Sequence, residues 1–201
     1  MNHDASTIQR IGVLLAAGRG RRMGRTKQLV AWSTAAGTKP LVAAAYDAIR
    51  LVCDEMVVVL GHEADAVAAA LDHHPLHRVD ANPDADMFES IRAGVTAALA
   101  INRDATIVLQ PGDHPEVAPG TLDLLVIESM RRPEIALMPE FQGRGGHPAF
   151  IPSGVARMLV EANCPGGLRG FWTQHVELCR RLPVEDPGVV LDINTADQLR
   201  E

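Results

Sequence analysis

The chain has little aromatic surface: four Phe, two Trp and one Tyr among 201 residues. A single-strand nucleic-acid binder built on stacked bases needs more such platforms. It has three cysteines, Cys53, Cys164 and Cys179, an odd number without Cys-x-x-Cys spacing. That excludes a disulfide framework or a zinc ribbon and suits a reducing, cytoplasmic setting. No apolar run approaches the ~20 residues of a membrane span, and residues 1–10 lack the apolar centre of a secretory signal. Acidic residues are missing from one stretch: between Ala5 and Tyr46 there is no Asp or Glu, while Arg10, Arg19, Arg21, Arg22, Arg25, Lys27 and Lys39 give it a local charge of +7. The remainder of the chain then carries -13, for a net charge of -6. Acidity overall disfavours wholesale nucleic-acid binding, and a cationic segment within an acidic protein suits a small anionic ligand. A solvated basic surface is the plainer alternative.

What is present reads as one α/β domain over residues 1–201. Residues 11–16 (IGVLLA), Glu55–Leu60 (EMVVVL) and 106–109 (TIVL) are short apolar runs of the kind that form buried strands. His77–Asp80, 135–138 and Ala149–Ile151 are further candidate strands, and 189–193 is expected to be the last. Helical spacing covers 41–51, 63–71 and 88–99. Pro119 suits the first turn of a helix to Arg131, and Ser153 is placed to cap one ending at Glu161. Strand and helix alternate as in a Rossmann-like, mostly parallel sheet with helices on both faces, with an antiparallel addition in the last third.

The first strand runs into Ala17-Gly18-Arg19-Gly20-Arg21-Arg22-Met23-Gly24-Arg25-Thr26-Lys27. Loops at this end of an open sheet bind ligands. Small residues allow close approach to the backbone, and glycines let successive N–H groups converge on an anion. Arg22 and Lys27 are suited to phosphate oxygens. A dinucleotide fingerprint needs glycine at Met23, and a P-loop needs lysine at Arg25. An ordinary glycine-rich surface loop is the competing reading.

Taken together, Leu15-Ala16-Ala17-Gly18-x-Gly20-x-Arg22-Met23-Gly24-x-x-Lys27 resembles the signature of nucleotidyltransferases related to molybdenum-cofactor cytidylyltransferase and guanylyltransferase. Asn82-Pro83, Met87-Phe88-x-Ser90-Ile91-x-x-Gly94, Pro111-Gly112-Asp113-His114-Pro115, Gly146-His147-Pro148 and Leu191-Asp192-Ile193-Asn194-Thr195 resemble its later motifs, in order. The resemblance implies a nucleoside triphosphate over the first loop, Mg²⁺, and attack of a substrate phosphate on the α-phosphorus with loss of pyrophosphate. Arg22, Lys27 and Asp113 take catalytic roles by this resemblance. By the same resemblance Leu15, Ala16, Ala17, Gly18, Asn82 and Ser90 are expected to contact the nucleotide. Alanine at position 17, where guanylyltransferase members carry glycine, places the sequence nearer the cytidylyltransferase branch, so CTP is expected over GTP. The implied acceptor is a molybdopterin-type phosphate. A sugar or alcohol phosphate, or a nucleotide-binding regulator without turnover, are the alternatives.

Asp113 has the chemistry of a Mg²⁺ ligand, since that ion takes oxygen donors and keeps several waters. A turn-forming Asp is its plainer role. Asp192 is the candidate second ligand, against a helix-capping role. The cluster Asp72-His73-His74-Pro75-Leu76-His77 has ligand types but no standard spacing and reads as a solvated loop. The chain departs from the resembling family at Thr26, where Pro or Trp is common, at the longer hairpin over 32–38, and at Asn194. No nucleophile elbow is present.

Overall fold

The computed structural model describes residues 8–18 and 26–193. Arg22, together with Arg19, Arg21, Arg25, Asn194 and Thr195, lies outside the described residues. Apolar strands do pair at the centre. Strand β1 (Arg10–Ala16) lies between β4 (Glu55–Leu60) and β6 (Thr106–Pro111), parallel to both. Strand β5 (His77–Asp80) extends the sheet parallel to β4. On the other side the order continues through β9 (Ala149–Ile151), β7 (Ala136–Phe141) and β10 (Cys179–Pro183). Strand β9 is antiparallel to both neighbours, and β10 is parallel to β7. A two-residue strand, β8 (Arg144–Gly145), pairs back on β7, and β2 (Ala31–Thr34) with β3 (Gly37–Pro40) makes a separate hairpin. This is the expected mostly parallel α/β sheet with an antiparallel addition in its last third.

Period-two alternation divides the core between the sheet faces. Leu14, Ala16, Val58 and Leu60 face α1 (Leu41–Arg50), α2 (Ala64–Ala69) and α4 (Pro119–Arg131). Ile11, Val13, Val57 and Val59 face α3 (Met87–Ile101), α5 (Ser153–Glu161) and α6 (Gly167–Gln174). At Gly94 a Cβ would come within 2.6 Å of Val13 and Val59, so glycine lets α3 lie directly on β1 and β4. No described helix is long and apolar enough to cross a membrane.

Four expectations are corrected. Residues 189–193 form no strand: a 3-10 turn, Pro187–Val190, stands there. Pro187 has no N–H for a ladder. Gly188 packs so closely on the Glu116 carbonyl that a Cβ would lie 1.5 Å from it. The last strand is β10, whose sequence, CRRLP, hides it because an edge strand need not be apolar. Ser153 opens α5 rather than capping it; Pro152 is the N-cap, with no side-chain bond. The third apolar strand extends two residues further, through Gln110 and Pro111, and the second helix is shorter, Ala64–Ala69.

Chain order explains where a site can form. From β1 the chain builds β4 and β5 on one side, then returns to place β6 on the other. The connections leaving β1 and β6 diverge at this switch point, and the gap above it is where open α/β sheets bind ligands.

Candidate functional site

Register sets the height of the site. Leu15 pairs with Pro111 and Ala16 with Leu60, so the segments after β1, β4 and β6 rise from one edge. The Gly112 N–H donates to the Leu15 carbonyl at 2.8 Å. A Cβ at Gly112 would lie 2.9 Å from that oxygen, so only glycine permits the approach. Gly61 does the same beyond β4, where a Cβ would lie 2.8 Å from the Ala17 carbonyl and 2.9 Å from the Ala17 methyl.

Lys27 begins a 3-10 turn, Lys27–Leu29, beyond the arginine-rich segment. The sequence puts it in a polar loop outside the core. In the structure it is 9% exposed, and its Nζ donates to Asp113 Oδ2 at 2.6 Å across 86 positions. The next residue, Gln28, donates from Nε2 to the Gly18 carbonyl at 3.0 Å, which brings the end of β1 beside this turn. The turn carrying Asp113 is braced by backbone: His114 N–H to the Pro111 carbonyl at 3.3 Å, and Ile193 N–H to the Asp113 carbonyl at 3.2 Å. Buried Gln110 adds a bond from Nε2 to the His114 carbonyl at 2.6 Å.

Asp192 reaches the same region because Ile193 is locked in a small cluster with Trp32, Leu41 and Ala44. Both Asp113 and Asp192 act electrostatically on His114, and Asp113 Oδ1 lies 3.8 Å from its Nε2. Two carboxylates plus substrate phosphates are oxygen donors of the kind Mg²⁺ takes. Among the described residues there is no group of three His, Cys, Asp or Glu that could hold a metal by itself.

Two histidines stand behind Asp113. His114 is buried, and its ring meets that of His147 edge to face at 5.1 Å. Burial pushes His114 below the usual imidazole range, against the opposing pull of Asp113 and Asp192. Burial chiefly, with the neighbouring His114, pushes His147 down to about 4. A histidine neutral in the fold but charged when unfolded takes up fewer protons folded, so stability falls as pH drops from about 6.5 through about 4. Thermal unfolding across that range should show a slope reduced by up to one proton, about 1.4 kcal/mol per pH unit, in His147→Gln. An unchanged slope would contradict the burial of a neutral imidazole.

The remaining expected residues are dispersed. Ser90 is buried in α3. Asn82 is exposed beyond β5, with Oδ1 accepting the Asp84 N–H at 2.9 Å in its own turn. Neither is joined to the Lys27–Asp113 pair by the bonds described above. Gln28, Gln110 and Glu63 enter the architecture without having been singled out. For Gln110 the signal was a polar residue continuing an apolar strand directly before Pro-Gly-Asp. Of the histidine cluster, His73 is solvated, whereas His74 packs edge-on against Tyr46 at 4.7 Å.

A parallel sheet with a cationic loop after its central strand and a carboxylate after the adjacent one is the frame of a nucleotidyltransferase fold. Residues 12–178 match the MobA-like NTP transferase domain family, and the chain belongs to that family. A relative from Paenarthrobacter nicotinovorans, named nicotine blue oxidoreductase, is 31% identical over 94% of this chain and 93% of its own. A molybdenum cofactor guanylyltransferase from Pseudomonas aeruginosa is 32% identical over 75% of this chain and 72% of its own. Among solved structures, the Mycobacterium tuberculosis protein Rv0371C, in complex with manganese, superposes with a TM-score of 0.67 at 30% identity, covering 96% of each chain.

Proposed function

We propose that this protein transfers a nucleoside monophosphate, CMP by preference, from the triphosphate to a phosphorylated small molecule of the molybdopterin type. The observation that carries the reading is the Lys27–Asp113 pair, which joins the cationic loop to the turn after β6 at the switch point of the sheet. A phosphate oxygen of the acceptor attacks the α-phosphorus, the bond to the β-phosphate breaks, and pyrophosphate leaves. Two anions must be brought together, so alignment and charge neutralisation dominate over proton transfer. Lys27 and Arg22 hold the triphosphate and the departing pyrophosphate. Backbone groups of Leu15, Ala16, Ala17 and Gly18 meet the nucleotide, with Asn82 and Ser90 further along its path. Asp113 and Asp192 would hold a divalent ion, Mg²⁺ in this reading, which supplies positive charge to the phosphates.

The base preference rests on Ala17, whose methyl packs against Gly61 and narrows the gap beside the backbone that leaves β1. A pyrimidine needs less of that gap than a purine. The Pseudomonas relative named above is a guanylyltransferase, which makes GTP the informative competitor. In competition binding CTP is expected to exceed GTP by no more than ~1–3 kcal/mol, the value of one methyl, and Ala17→Gly to move the ratio toward GTP. Equal or tighter GTP binding by the wild type would remove the cytidine preference and leave the transferase reading in place.

Pyrophosphate release from each of four NTPs, with molybdopterin, sugar-phosphate and alcohol-phosphate acceptors, tests the reaction. Release only with a sugar or alcohol phosphate would reassign the acceptor. Nucleotide binding without release from any combination would exclude transfer and turn the site toward binding or, as the name of the Paenarthrobacter relative suggests, redox chemistry.

A further inference from the structure

The β4–α2 connection holds one residue that its local position does not explain. Glu63 is the N-cap of α2 with φ 51° and ψ 40°, a left-handed conformation that glycine or asparagine adopts far more readily. An N-cap residue is selected for a short side chain that accepts a bond from the first turn. Glu63 makes no such capping bond. Its carboxylate turns the other way, and Oε2 accepts from the Thr26 hydroxyl. Thr26 is buried and stands immediately before Lys27.

The same connection also grips the end of β1. The His62 N–H donates to the Ala17 carbonyl at 3.3 Å, and Gly61 is pressed against Ala17. The Gln28–Gly18 bond joins the end of β1 to the 3-10 turn. One three-residue turn, Gly61-His62-Glu63, therefore holds both Ala17, just after β1, and Thr26, just before Lys27. A non-glycine residue kept in a disfavoured conformation points to a use for its side chain. Here that use is the bond to Thr26.

We infer that Glu63 is a positioning residue: acting through Thr26, it fixes the start of the 3-10 turn and thereby the placement of Lys27 for the triphosphate. The inference rests on the nucleotide site proposed above. The acceptor oxygen matters here, and the negative charge does not, because Thr26 donates a neutral hydroxyl bond. The role is felt in binding rather than in the chemical step, since Glu63 touches neither reacting atom.

Three variants separate this from a structural role. Glu63→Gly removes the acceptor while relieving the left-handed backbone, so its melting temperature should equal or exceed that of the wild type. Glu63→Gln keeps an acceptor oxygen. Thr26→Val keeps the shape and loses the donor. Glu63→Gly and Thr26→Val are each expected to raise the KM for the preferred NTP about tenfold, with kcat within about twofold, as for one lost hydrogen bond. The double variant should be no worse than either single variant, and Glu63→Gln should stay within about threefold of the wild type. Amide hydrogen exchange in the nucleotide-free proteins reads the clamp without any catalysis: exchange over 26–30 should quicken in Glu63→Gly and not in Glu63→Gln. Wild-type exchange in Glu63→Gly would overturn the clamp whatever the enzyme does. Quickened exchange with wild-type KM, additive losses, or equal losses in the Gly and Gln variants would overturn the positioning role. Failure of the wild type to bind any NTP would instead strike the proposed function, with the exchange result still deciding the clamp.

Discussion

Asp113→Asn is expected to lower metal-dependent turnover by roughly a hundredfold or more, because an amide keeps the shape of the carboxylate but not the charge that a hard cation requires. The fold should tolerate the change. The turn is held by backbone bonds from Gly112, His114 and Ile193 and by Gln110, none of which uses the Asp113 side chain. The Asn oxygen can still accept from Lys27 Nζ, which sits 2.6 Å from Oδ2. Removing the ionic part of a half-buried pair should cost about 1 kcal/mol. Turnover at ordinary Mg²⁺ concentration by a folded Asp113→Asn protein would reduce Asp113 to a turn residue.

Lys27→Ala carries the second large effect. Loss of one charged phosphate contact should weaken triphosphate binding by about 1.5–3 kcal/mol, some 10- to 150-fold, measured by calorimetry. The burial of Lys27 adds a consequence that a surface lysine would not have: the variant leaves Asp113 without the Lys27 charge and opens a small gap at the start of the 3-10 turn. Asp113 keeps 29% of its side-chain surface, so water can solvate it and the variant should fold. Lys27→Arg should not restore affinity, because a planar guanidinium cannot occupy the place of a single Nζ. The Lys27→Ala/Asp113→Asn double variant should be less destabilised than the sum of the singles, since the two side chains share one bond. Wild-type NTP affinity in Lys27→Ala would sink the assignment of this residue.

Much of this architecture was legible because the sheet is buried on both faces. Continuous apolar runs such as Glu55–Leu60 leave few alternatives, and β4 and β5 fall where the pattern puts them. The Rossmann-like frame and the edge from which the glycine loop and Asp113 rise follow from the same alternation. What was hidden depends on edges and on distant contacts. Strand β10 carries two arginines because it closes the sheet against solvent, and residues 189–193 read as a strand until the packing of Gly188 on Glu116 is known. The two motifs were legible, while the direct contact between them was not: the polar surroundings of Lys27 in sequence give no hint of its burial and its bond to Asp113. The cap of α4 is hidden for the same reason, being supplied by Asp186, whose Oδ2 accepts from the Ala118 N–H and the Thr121 hydroxyl. Glu63 left no signal at all, since neither its backbone angle nor its choice of partner is written in its neighbours.

The fate of labelled phosphorus tests the central claim most directly. The protein would be incubated with Mg²⁺, a phosphorylated acceptor and CTP carrying label at either the α- or the γ-phosphorus. The account predicts that α-label moves onto the acceptor in a new diphosphate linkage and that γ-label leaves in pyrophosphate. Transfer of γ-label to the acceptor, or its release as inorganic phosphate with CDP left behind, would contradict it.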